Sequence, residues 1–260
     1  MGLDHETQVD AVAREAGALV DAVAAGPLDA RVPTCPDFAV DDLARHVGQF
    51  CGFWTHVLLE ATGRPPSPFD DPDDLGDPAA GGAHRADWLR PIVDHLVDAL
   101  RSTPPDTPTW TWHPTRRTAR FVARRCSHEL AVHRVDAQLA RGAAEPVEAA
   151  LAADGIEEIF VLLENPVRSP LAPDGAAGRT IHLHGTDHEP AEWLLTLDDS
   201  ATAVTVERTH AKGDLALRGP VGDLEMLLYQ RPTVGEVARF GDEAVLAAFH
   251  HRFTFVSGRR

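Results

Sequence analysis

The chain has 260 residues, 43% of them hydrophobic, which is enough for one large domain or two ordinary ones with real cores. Acidic residues outnumber basic ones 40 to 24, a formal net charge of −16, so neither a nucleic acid nor an anionic membrane surface is an expected partner, since each calls for a basic face. Three cysteines, no apolar run near the ~20 residues of a membrane span and no basic-then-apolar N-terminus together lead to the expectation of a cytoplasmic protein without a disulfide framework.

The first half reads as helices. Residues 7–25 place Val9, Val12, Ala16, Val20 and Val23 at helical spacing, and Gly26-Pro27 ends the run. In "RVPTCPDF" the two prolines Pro33 and Pro36 predict a rigid loop. A second helix is expected from Asp41 or Asp42 to Gly63, followed by a Pro-, Asp- and Gly-dense loop over 64–83 that is expected to be mobile. Residues 84–102 predict a third helix, with Trp88, Ile92, His95, Leu96 and Leu100 on one side and Pro91 in or near its first turn. The stretch "RRCSHELAVHRVDAQLARG" (124–142) lies in a fourth, and four helices joined by loops predict a four-helix bundle.

After Gly142 the pattern changes. "PVEAALAADGIEEIFVLLENPV" is one more helix; then "GRTIHLHGTD", "AEWLLTLD", "ATAVTVERTH" and "GDLALRGP" alternate apolar and polar residues between turn signals, as strands of a mostly antiparallel sheet do. "VGDLEMLLYQRP" and "GDEAVLAAFHHRF" return to helical periodicity. The expected architecture is therefore α followed by α+β, with a bundle over 1–145 and a smaller domain over 146–260.

One row of the fourth helix runs Val122, Cys126, Glu129, His133, Ala137, Ala140, and a second runs Phe121, His128, Val132, Val135, Leu139. Together they form a buried stripe, which turns Glu129 and His133 inward side by side, four residues apart. A buried carboxylate is costly unless it is paired or bound to a metal. In the second helix His46 interrupts an apolar row of Leu43, Phe50, Phe53 and Val57. Two readings follow from periodicity. Either the three side chains hydrogen-bond one another in the core, or they form a metal site of two imidazoles and a carboxylate, whose fourth position stays open for water or substrate.

The segments "VPTCPDFAVDDLARHVGQF" and "RRCSHELAVHRVDAQLARG" resemble the mycothiol-dependent maleylpyruvate isomerase family of the DinB-like bundle superfamily. Its signatures are P-T-C-P-x-W followed by D-L-x-x-H, and a basic residue followed by H-E-x-x-x-H-x-x-D. Phe38 stands here where tryptophan is usual. The likeness continues through "LHGTD", "LRGPVGDLEMLLYQR" and "GDEAVLAAF" into a C-terminal α+β domain similar in shape to sterol-carrier proteins. The resemblance implies a divalent metal, typically zinc, held by His46, Glu129 and His133. It also implies mycothiol as thiol cosubstrate, with isomerisation of maleylpyruvate or S-transfer to another small electrophile as the reaction. Arg231 then becomes the candidate catalytic cation, Arg218 and His113 candidate substrate-binding groups, and Asp136 a partner that orients a ligand imidazole. A non-catalytic carrier or sensor using the sterol-carrier-like domain is the alternative. A monomer is expected, because no apolar stripe is left over.

Two other features stand outside this set. Cys35, between Thr34 and Pro36, reads as packing rather than as a nucleophile, since no histidine is tied to it in sequence. His182 and His184 in "IHLHGTDH" share one face of a strand, a spacing that can chelate a metal, and read as structural or surface residues.

Overall fold

The computed structural model describes residues 2–60, 85–163, 175–198 and 204–252. The expected loop over 64–83 and the ends of several expected elements lie outside them. The chain divides into two compact units, Leu3–Glu145 and Pro146–Arg260, the latter joined by Met1–Gly2.

The first unit is built from α1 (His5–Ala24), α2 (Val40–Glu60), α3 (Arg85–Ser102) and α4 (Ala119–Leu139). Asp4 caps α1 by accepting from the Thr7 N–H at 2.8 Å, and Asp42 reaches back to the Ala39 N–H at 2.8 Å to start α2. Each helix has two close neighbours: α4 and α3 flank α1, and α3 and α4 flank α2. The two motif-bearing helices, α2 and α4, are therefore adjacent. The core is aliphatic along its length, with Leu19, Leu43, Leu89, Leu96 and Leu100 fully buried, each contributing about 1.5–3 kcal/mol. Toward one end it becomes aromatic, where Trp54 meets Phe50, Phe53, Trp110 and Trp112.

One expectation for α3 is corrected. His95 is exposed rather than part of the buried row, because the side facing the core is drawn by Leu89, Val93, Leu96 and Leu100. Pro91 falls in the second turn, near the first as expected, and is exposed. Gly48 on α2 is required by packing: a Cβ would stand 2.3 Å from the Trp88 ring, which Arg85 covers at 5.0 Å while pairing with Asp41 at 2.6 Å.

Helix α4 is buried almost all round from Phe121 to Ala137, so its polar side chains need internal partners. Arg134 pairs with Glu15 of α1 at 2.9 Å and also reaches Gln138 and the Glu145 carbonyl, while Ser127 donates to Gln8.

The second unit opens with α5 (Ala149–Leu163) and continues with β1 (Thr180–Gly185), β2 (Glu192–Leu197), β3 (Val204–Glu207), β4 (Leu215–Gly219), α6 (Val221–Leu228), β5 (Ala238–Gly241) and α7 (Ala244–Arg252). The five strands lie in the order β3-β2-β1-β4-β5, antiparallel except for the β1–β4 pair. Ile181, Leu183, Leu195, Leu197, Leu215 and Leu217 are fully buried on alternate positions, as the period-2 pattern requires. β5 was not expected from sequence. It is four residues at the edge with Phe240 exposed, and carries too little alternation to be read.

Candidate metal centre in the helical bundle

Helical spacing sets Glu129 and His133 one turn apart on α4, and His133 Nε2 lies 3.2 Å from Glu129 Oε2. His46 reaches in from α2, its ring centroid 5.0 Å from that of His133 and nearly perpendicular to it. His133 is buried, whereas the Glu129 side chain keeps 23% of its surface. The cluster thus sits at the wall of the bundle rather than sealed inside it.

Asp136, fully buried one turn after His133, accepts at 2.9 Å from His133 Nδ1 and fixes that ring's orientation. Its other oxygen accepts from Thr34 Oγ1 at 2.5 Å, and the Cys35 thiol lies 3.9 Å from the oxygen that bonds His133. The two signature segments meet at this carboxylate. The Pro-Thr-Cys-Pro loop is shaped by turns in which Cys35 N–H donates to Val32 and Phe38 N–H donates to Cys35, and it sets Phe38 against His46 at 6.0 Å between centroids. Phenylalanine does the packing that tryptophan would do there.

The electrostatics favour positive charge at His133. Burial works against its imidazolium, but hydrogen bonds to Asp136 and Glu129 outweigh it and raise the pKa to about 9. Burial alone would raise the Glu129 pKa as well; the charges of Arg125 and His133 instead hold it well below the usual carboxylate range. His46 is shifted down, first by burial and then by the charge on His133, which keeps its imidazole neutral with a lone pair to offer. Two imidazoles, a carboxylate and a carboxylate-oriented second ring nitrogen are the donor set of an open zinc-type site, and these residues fit a divalent cation by chemistry. Arg125 was missed in sequence. It is buried, lies four residues before Glu129 and donates to Glu129 Oε1, so it competes for the same carboxylate. The i,i+4 relation was the available signal.

The other expected site residues fall in different places. His113 is buried in the loop before α4, where its Nδ1 accepts from the Thr115 and Arg116 N–H groups at 3.2 Å and its ring packs on Phe121. Arg218 and Arg231 belong to the second unit. Arg218 is exposed on β4; Arg231 is buried after α6 and donates to the Tyr229 carbonyl at 2.8 Å. All three cysteines are buried and none is in a disulfide, and burial pushes the Cys51 thiol far up, which removes it as a ready nucleophile. Among the described residues no helix is long and apolar enough to cross a membrane.

Comparison with known proteins bears on both units. No curated protein matches the sequence. Two solved structures share the fold: a mycothiol-dependent maleylpyruvate isomerase, at a TM-score of 0.59, and a point mutant of a mycothiol-dependent maleylpyruvate isomerase, at 0.61. Each is 14% identical and covers 91% of this chain and 93% of its own. The family model described as "Mycothiol maleylpyruvate isomerase N-terminal domain" matches residues 9–138, a span that contains His46, Glu129, His133 and Asp136. With half its length inside that match, the chain belongs to the mycothiol maleylpyruvate isomerase family.

Proposed function

We propose that the chain is a divalent-metal-dependent, mycothiol-using enzyme whose reactive centre is the His46, Glu129 and His133 cluster, with zinc as the ion the donor set suits best. The observation that carries this reading is the His133 imidazole held between Asp136 and Glu129 with His46 beside it. A divalent ion there supplies the charge that lets a thiol react as its thiolate at neutral pH.

The chain's own residues do the rest. Asp136, itself locked by Thr34, keeps His133 Nε2 aimed at the ion position. Arg125 balances the Glu129 charge. Arg231 and Arg218 are the candidates for recognising a substrate carboxylate by paired N–H donors, and His113 supports the loop leading into α4. With maleylpyruvate, thiolate addition to the cis double bond leaves a single bond free to rotate, and elimination returns the thiol and the trans isomer. With an electrophile that has a leaving group, the new S–C bond persists and the same attack is an S-transfer.

The test is an assay of purified protein with mycothiol and zinc against maleylpyruvate and a panel of electrophiles. Fumarylpyruvate formation supports isomerisation, and a stable thioether supports S-transfer. Turnover that proceeds equally without thiol, or equally well in His133→Ala, would overturn the proposal.

A further inference from the structure

A second set of donors converges on one face of the C-terminal sheet. His182 and His184 lie two apart on β1, on the face opposite the fully buried Ile181 and Leu183. Glu192 on β2 stands directly across from His184 in the antiparallel register. The strand order makes β3 and β4 parallel with β2 and β1 between them, so residues 208–214 must cross back over the sheet. That crossing brings His210 to the same place.

The crossing is pinned at both ends. Arg208 Nε donates to Glu157 of α5 at 2.7 Å, and Asp214 Oδ2 accepts from the Thr180 N–H at 2.8 Å and from Thr180 Oγ1 at 2.9 Å. Gly213 lies so close to β1 that a Cβ would stand 2.8 Å from the His182 N and 2.6 Å from the Leu215 carbonyl oxygen. Only glycine permits that approach.

Within this frame Glu192 Oε2 is 2.5 Å from His182 Nε2, and Oε1 is 2.5 Å from His184 Nδ1 and 3.0 Å from His210 Nδ1. One donor atom from each of the four residues lies within 4.8 Å of all the others. A tetrahedral ion with bonds of about 2.0–2.1 Å needs its donors about 3.4 Å apart, so small side-chain rotations complete the shell. Three imidazoles aimed through ring nitrogens at one carboxylate exceed what a hydrogen-bond network needs, whereas one cation in their midst satisfies all four.

We propose that His182, His184, Glu192 and His210 form a second metal site, for a divalent transition ion of the imidazole-preferring class with zinc foremost. Four protein ligands close the coordination shell, which makes this ion a clip that holds the 208–214 crossing to the sheet rather than a centre that activates substrate. It draws on none of the bundle residues and stands apart from the function proposed for them.

The experiment uses the full chain carrying His46→Ala and His133→Ala, so that the bundle cluster contributes no ligands. Zinc is added, weakly held ion is removed by desalting, and bound zinc is counted by elemental analysis, with amide exchange over 208–214 as the second readout. One equivalent of zinc and at least tenfold slower exchange in the crossing are expected, both lost on adding His184→Ala. In the otherwise unaltered chain, His210→Ala, a change at an exposed side chain, should remove one equivalent. The proposal is overturned if the bundle variant retains no zinc, if its zinc and exchange are unchanged by His184→Ala, or if His210→Ala removes no zinc from the otherwise unaltered chain.

Discussion

The two histidine and glutamate clusters differ in how the chain gathers them. In the bundle, Glu129 and His133 share one helix, His46 sits on its neighbour, and a fully buried carboxylate, Asp136, fixes the ring from behind. On the sheet, the ligand atoms come from two strands and a crossing segment, and His210 keeps 74% of its side-chain surface. Nothing equivalent to Asp136 is seen behind the sheet cluster among its described contacts. A ring pre-oriented by a buried partner suits an open reactive position, whereas a set completed by an exposed segment suits a clip.

The largest effect expected is on chemistry in the bundle. His133→Ala removes a proposed ligand together with the bond to Asp136, and thiol-dependent turnover should fall to background while a zinc count on the same protein still finds the sheet ion. Equal loss of both ions would mean that the clusters are not independent, and the contrast between them would collapse. Next in size is the ion pair that seats α4. Arg134 and Glu15 are both buried, so Arg134→Ala leaves the Glu15 carboxylate only the half-exposed Arg14 as an ionic partner and should cost about 1–3 kcal/mol in urea unfolding. A loss under 1 kcal/mol would show that α4 is less tightly enclosed than its burial implies.

These contrasts also explain what could be read in the sequence. The bundle cluster was legible because helical periodicity is local: spacing of four places Glu129 beside His133, and His46 breaks an otherwise apolar row in the same way. Asp136 was legible as a ring-orienting neighbour three residues on. Arg125 is equally local, but its burial follows only from α4 being enclosed on nearly all sides, which spacing within one helix does not reveal. The sheet cluster was half legible. Alternation places His182 and His184 on one face, but Glu192 depends on the pairing register and His210 on where β4 inserts beside β1, and neither is written in local spacing. Thr34 is the same case in the bundle, since its bond to Asp136 spans 102 positions. β5 and the exposure of His95 were lost to short or exposed patterning, where solvent rather than the core sets the residue.

Asp136→Asn sharpens the comparison at a smaller scale. It keeps the shape but removes the charge that holds the His133 Nδ1 proton, and metal affinity or turnover should drop about 10–100-fold, the usual range for a partner one step removed from the ion. Thr34→Val should follow in the same direction with a smaller loss, because Asp136 keeps its bond to His133. If Thr34→Val instead matched Asp136→Asn in full, the loop rather than the carboxylate would be orienting the ring. Measuring KM for the thiol separately from kcat distinguishes a mis-aimed ring from a merely less stable fold.

The smallest effect is expected where the second cluster is most open. In chelator-containing buffer His210→Ala should change unfolding stability by no more than about 0.5 kcal/mol, since its bond to Glu192 is largely solvated and removal leaves His182 and His184 still paired with that carboxylate. Gly213→Ala in the same segment should cost more, about 1–3 kcal/mol, because the added Cβ meets backbone atoms that cannot rotate away. The order of these two substitutions is the informative quantity. If His210→Ala proved the costlier in the absence of metal, the imidazole would already be holding the crossing down by itself, and an ion would have little left to clip. With Gly213→Ala costlier, the backbone sets the crossing's path and His210 is kept in place for what binds between it and the strands.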